Sequence, residues 1–210
     1  MGAPDRLIMT NALLRPLALL FLLAASIFSS AQQTTLQVDP AKTTVKFTLD
    51  TALHTVHGTF HSRQATLQFD PSSGQISGEV VVDAKSGETG NGMRDRKMHK
   101  EILESDTYPE ISFRPTRVEG AVAGSAKSSV KVHGTFRIHG VDREIEVPGQ
   151  VEIFPDHWDA DMHFTLPYQK WGMKNPSTLF LKVSDSVTID LNLAGPVVAG
   201  GTSQSKAANQ

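Results

Sequence analysis

Cysteine is missing from all 210 residues. Its absence excludes disulfides, thiolate metal sites and a lipid-modified cysteine. An excess of either charge is missing too, since 20 Lys and Arg stand against 22 Asp and Glu. With no dense basic patch, nucleic acid is not an expected partner. Catalytic signatures are equally scarce. The chain has no Gly-x-Ser-x-Gly elbow, no phosphate-cradling glycine loop and no His-Glu-x-x-His zinc motif.

Long apolar runs are confined to one place. Leu17 to Phe28 follows Arg6 and Arg15 and precedes the small residues Ser29, Ser30 and Ala31. The run is shorter than the ~20 apolar residues that a spanning helix needs. Residues 1–31 are therefore expected to be a secretory signal peptide, cut before Gln32, which puts the protein in the periplasm or outside the cell. An uncleaved anchor is the alternative. Residues 32–196 are expected to form one domain with its own core. Residues 197–210 are small and polar with no apolar period, and are expected to be a disordered tail.

What the chain does contain is a succession of strand signals. Val45, Phe47 and Leu49 alternate with Lys46, Thr48 and Asp50, the two-residue period of a half-buried strand. Val56, Gly58 and Phe60 continue it. The parity then changes to Ala65, Leu67 and Phe69, so a bulge or bend is expected near Ser62 to Gln64. Asp70-Pro71-Ser72-Ser73-Gly74 has the chemistry of a hairpin turn into Ile76, Gly78, Val80 and Val82. Later strands begin at Ile111, Val130, Ile145, Met162 and Val187, with a turn at His139 to Asp142. The pentapeptide Val-His-Gly-Thr-Phe occurs at residues 56–60 and again at 132–136, which reads as two strands under similar packing constraints.

One segment has helical spacing. Met98 and Ile102 stand four apart with Arg94 a turn earlier and Leu103 beside them, so a single stripe can face a core. Asn91 is the expected N-cap, and Tyr108-Pro109 is the expected stop. Successive antiparallel strands plus one helix predict an all-β, up-and-down barrel, because closure removes exposed edges. A sandwich is the runner-up.

The inward set comprises Phe47, Leu49, Phe60, Leu67, Phe69, Val80, Phe136, Ile138, Ile153, Met162, Phe164, Ile189 and Leu191, and it contains no ionisable side chain. Gly58, Gly78 and Gly134 share its parity and either leave room inside or serve close packing. A cavity so lined would take a hydrocarbon ligand, each buried methylene contributing ~0.8 kcal/mol. A charged substrate would find no partner there. The residue chemistry points to holding a lipid without transforming it.

These features resemble the YceI-like family, the polyisoprenoid-binding proteins of bacterial periplasms. The resemblance spans about Gln37 to Leu193. It is carried by Asn91-Gly-Met-Arg-Asp with Met98 and Tyr108-Pro109-Glu110-Ile111-Ser112-Phe113, by the hairpin from Gly134 to Ile145, and by Val183 to Leu191. The resemblance implies an eight-stranded lipocalin-like barrel with one α-helix packed over it and a long isoprenoid, a quinone or a polyprenyl chain, in the lumen. Ile102-Leu103 stands where many members carry paired aromatics, and Lys97-Met98 where many carry His-Leu.

The expected ligand-contacting residues are Phe47, Leu49, Phe60, Leu67, Val80, Met98, Ile102, Phe113, Phe136, Ile138, Phe164 and Trp171. Trp171 either caps the cavity or anchors its loop. Asn91, Arg94 and Asp95 are expected at the mouth, where tying the helix to the barrel is favoured over touching a headgroup. His57 and His61 are expected to face outward, and no metal site is expected. No catalytic cofactor is expected. A hydrolase or isomerase using Asp95 and His99, four apart, as an acid–base pair is the alternative function. Beyond the apolar lipid, the sequence leaves open a transient membrane-surface contact and a homodimer.

Overall fold

The protein was analysed as a computed structural model, which describes Gly2 and residues 33–198. The expected leader at 1–31 and the last residues from 199 onward lie outside this description, apart from Gly2. Eleven strands follow one another: β1 (Thr34–Val38), β2 (Thr44–Asp50), β3 (Thr55–Ser62), β4 (Ala65–Phe69), β5 (Ile76–Gly78), β6 (Val80–Glu88), β7 (Glu110–Glu119), β8 (Ser128–Ile138), β9 (Val141–Ile153), β10 (His157–Leu166) and β11 (Val187–Val198). Between β6 and β7 stands the short helix α1 (Gly92–Lys97), continued by one π-helical turn, Met98–Ile102.

Eight of the strands close into an antiparallel barrel in the order β2-β3-β6-β7-β8-β9-β10-β11, with β11 returning to β2. The seam is extensive. β10 and β11 pair from His157 opposite Pro196 through to Leu166 opposite Val187. This is the up-and-down closure that the strand periods predict, and it leaves the barrel wall without an edge. The other three strands form an annex on β11, in the order β1-β4-β5. Val197 and Val198 pair with Leu36 and Thr35 of β1, so the folded domain extends two residues past the expected boundary at 196.

The predicted bend is present. β3 breaks at Arg63-Gln64 before β4, and its register with β6 shifts between Thr59 and His61. The residues looped out of β6 are held by Ser86, whose hydroxyl donates to the Asp83 carbonyl (2.6 Å) and accepts from the His61 amide (2.8 Å). The Asp70 turn also forms as expected. Its carboxylate accepts from the Ser72 amide and the Ser72 and Ser73 hydroxyls, and Gly74 takes φ 72°. Beyond it the expected single strand is two, because Gly78 turns the chain at φ 116° between β5 and β6.

The helical segment departs from expectation in its second half. Leu103 N–H reaches back to the Met98 carbonyl (2.8 Å), a wider turn than an α-helix makes. The run then ends at Glu104, which is left-handed at φ 47°, ahead of the expected stop at Tyr108-Pro109. Widening places Leu103, 8 % exposed, on the same side as Met98 and Ile102, over the barrel mouth. Among the described residues no helix is long and apolar enough to cross a membrane.

Candidate functional site: two apolar chambers in the barrel

Side chains on the inner wall pack into two clusters, one around Trp158 toward the annex and one around Leu103 and Ile138 beneath the helix. Each cluster surrounds a hollow. The upper chamber, under the helical segment, has a volume of about 520 Å³. The lower chamber, toward β1 and β4, holds about 120 Å³. Ile111, Phe136 and Ile189 line both, so the chambers meet at this ring. Phe136 and Phe164 stand edge to face there, centroids 6.4 Å apart. No Asp or Glu lines either chamber, and the lower one has Ser112 as its sole polar lining residue. The upper volume lies within the ~300–1,000 Å³ of typical ligand sites.

The inward parity read from the sequence places residues as follows. Phe47, Leu49, Phe60, Ile138, Met98 and Ile102 line the upper chamber. Leu67, Val80, Phe113 and Phe164 line the lower chamber, and Phe136 lines both. Trp171 lines neither, which corrects its assignment to the ligand set. It packs edge to face on Phe136 (5.9 Å), donates from Nε1 to the Phe136 carbonyl (3.3 Å) and lies under the Arg143 guanidinium (5.7 Å). An indole so enclosed anchors its own loop to the barrel rim.

The glycines turn out to serve packing. A Cβ on Gly58 would strike the Phe47 ring directly across the strand pair. One on Gly134 would strike the Arg114 carbonyl and come within 2.8 Å of the Phe113 ring. The repeated pentapeptide thus marks the same local device twice: a glycine covered by an aromatic from the neighbouring strand. Lumen space comes from barrel size, not from missing side chains.

At the mouth, polar contacts fix the helical segment to the end of β6. The Asn91 side chain accepts from the amides of Met93 and Arg94, both at 3.1 Å, as the cap reading requires. Arg94 donates to the hydroxyl (2.7 Å) and carbonyl (2.9 Å) of Thr89, while the Asp95 carboxylate accepts from the Thr89 amide (2.9 Å) and hydroxyl. Both charges therefore tie helix to barrel through one threonine. Asp95 and His99 do not pair. His99 donates from Nε2 to the Gly87 carbonyl (2.8 Å), and its Nδ1 shares a hydrogen bond with the Ser105 hydroxyl (3.1 Å). Both ring nitrogens are engaged in holding the π turn, which removes the acid–base pair of the enzyme alternative.

Several lining residues carried no periodic signal. Tyr168, Met173, Leu181 and Val183 come from the irregular stretch between β10 and β11 and close one side of the upper chamber. Tyr168 is held by donating to the Ser184 carbonyl (2.7 Å), and burial pushes its phenol upward. Trp158 was within reach of sequence reasoning, since it shares the parity of Met162 and Phe164. It lines the lower chamber and donates to the Gln37 carbonyl (2.7 Å), stapling β10 to the annex. His57 and His61 are exposed, as expected, and among the described residues no three His, Asp or Glu side chains gather as a metal site. A larger groove of about 880 Å³ lies outside the barrel wall between Lys46, Glu119 and Asp161; it is open and polar, unlike the lumen.

Comparison with known proteins agrees with this architecture. The model of the YceI-like domain matches residues 36–194. The crystal structure of Burkholderia cenocepacia BcnA superposes with a TM-score of 0.61 at 22% identity, covering 75% of this chain and 99% of that one. A polyisoprenoid binding domain from Saccharophagus degradans, implicated in plant cell wall breakdown, gives 0.61 at 15% identity, covering 80% and 99%. The YceI protein of Campylobacter jejuni gives 0.52 at 19% identity, covering 67% and 84%. At these identities the likeness is one of fold. No curated protein matches the chain significantly. With the domain model spanning nearly the whole barrel and these structures sharing its fold, the chain belongs to the YceI-like domain family.

Proposed function

We propose that this protein binds one long apolar lipid, an isoprenoid quinone or a polyprenyl chain, with its tail threaded through both chambers. The observation that carries the reading is the adjoining pair of hollows inside a closed barrel, walled mainly by hydrocarbon, with His54, Arg94 and Lys97 confined to the upper one and no carboxylate lining either. Burial of each tail methylene there contributes ~0.8 kcal/mol before ordering costs. The printed description of the Saccharophagus degradans domain as polyisoprenoid binding supports the same ligand class. The protein acts as a carrier or store, not as an enzyme, a reading supported by the engagement of Asp95 and His99 in structural bonds. The apolar run at 17–28 between basic and small residues supports export to the periplasm or beyond.

Mass spectrometry of organic extracts from natively purified protein tests the proposal. A co-purifying long-chain isoprenoid is expected. Repeated recovery of empty protein from a lipid-rich host overturns it.

A further inference from the structure

Of the five large apolar side chains exposed among the described residues, all but Val198 gather around one feature of this molecule. Leu53 is 77% exposed, Met93 79%, Leu179 95% and Phe180 92%. Leu53 lies in the turn between Thr51 and His54, both of which line the upper chamber. Met93, in the first turn of α1, lines the chamber itself. Leu179 and Phe180 form the tip of a turn closed by the Thr178 amide on the Leu181 carbonyl (2.9 Å), and Leu181 again lines the chamber. That turn sits beside the Leu53 turn, since the Ala52 amide donates to the Lys182 carbonyl (2.9 Å). Three separate elements thus carry their apolar tips to the rim of a single opening.

The charged side chains that line this chamber are cations. Arg94 and Lys97 line the chamber and no carboxylate does. Lys182 adjoins the Leu179-Phe180 turn. Asp95, bonded by Thr89, and Asp50, bonded by the Thr55 hydroxyl (2.8 Å), are not among the residues that line the chamber. Apolar tips among cations suit a surface whose interior is hydrocarbon and whose face is anionic. Resting on the lipid-binding reading above, we infer that this rim docks on an anionic phospholipid bilayer, Leu53, Met93, Leu179 and Phe180 entering the headgroup region so that a lipid tail passes between bilayer and chamber without crossing water. The opening explains why the occupant is a bilayer. A tail leaving the chamber elsewhere would expose every methylene to solvent, and contact at the rim removes that barrier.

The test compares the full chain with its Leu179→Ser/Phe180→Ser double variant, so that the apolar segment 17–28 contributes equally to both. Binding is read by flotation with vesicles of equal parts phosphatidylglycerol and phosphatidylcholine, and with phosphatidylcholine alone. Uptake of a long-chain polyprenol is read twice, from detergent and from the mixed vesicles. The parent is expected to float with the mixed vesicles, at least tenfold less with phosphatidylcholine alone, and less as salt rises. The double variant is expected to lose at least tenfold in flotation and in uptake from vesicles, with uptake from detergent unchanged. Equal flotation of parent and variant overturns the docking surface while leaving the lipid chamber standing. A change in oligomeric state with vesicle binding intact overturns it too, and identifies the rim as a contact between copies. Failure of the parent to take polyprenol even from detergent refutes the lipid-binding reading itself.

Discussion

Replacing Ala160 by Leu separates the two chambers by function. Ala160, 3% exposed, faces the lower chamber from β10 on the same side as Trp158 and Met162. The substitution exchanges a methyl for an isobutyl group directed into a hollow of about 120 Å³. Leaving a cavity of that size unfilled costs ~3 kcal/mol at ~24 cal/mol per Å³. A tail long enough to reach the lower chamber recovers this on binding, and the variant takes the opportunity away. Long-chain isoprenoids are therefore expected to bind up to ~100-fold more weakly, at ~1.4 kcal/mol per decade. Short ones that end in the upper chamber of about 520 Å³ should bind as before. The ligand-free variant should be more stable than the parent by a fraction of the same ~3 kcal/mol. Calorimetric titration with linear isoprenoids of increasing length checks this, alongside thermal unfolding of the empty protein. Equal losses for short and long chains, or none for either, would refute the picture of two chambers in series.

Three further outcomes follow from individual contacts. Gly134→Ala forces a methyl against the Arg114 carbonyl and the Phe113 ring, and denaturant titration should show a loss of about 1–3 kcal/mol; an unchanged midpoint would mean the strands yield freely there. His99→Ala leaves the Gly87 carbonyl and the Ser105 hydroxyl without their partner, at about 1–3 kcal/mol, and hydrogen exchange at Leu103 and Ser105 should quicken before that of β8. Unaltered exchange there would show that the histidine does not hold the π turn. Asp70 is lowered from 3.8 to about 2 by hydrogen bonds from the Ser72 and Ser73 side chains and the Ser72 amide. A carboxylate held below its unfolded value stabilises the fold above the unfolded value and stops doing so as pH falls through the folded one. Asp70→Ala should thus unfold more readily than the parent near neutrality, with the difference closing between pH 3.8 and about 2; a gap that persists under stronger acid would assign the effect to something other than the charge.

The linear chain determined the wall of the barrel. Side chains alternate on a strand whatever surrounds it, so the parity of Phe47, Leu67, Phe136 or Ile189 marks the inner face before any neighbour is known. The change of parity after Phe60 marks the bend for the same reason, and Asp70 to Gly74 closes its turn through contacts only a few residues long. Asn91 caps its helix likewise by local bonds. What no local pattern contains is how distant segments share space. The division of the lumen at Phe136 and Phe164 arises because β8 and β10, the two neighbours of β9, bring those rings face to edge. The π turn depends on His99 reaching β6, and Trp171 is drawn from the lumen by the Phe136 carbonyl and the Arg143 guanidinium. The stretch from Gly172 to Ser186 has no period, so Met173, Leu181 and Val183 acquire their place over the upper chamber only from the barrel they cover. Periodicity decides which way a side chain points, whereas chain closure decides what it meets.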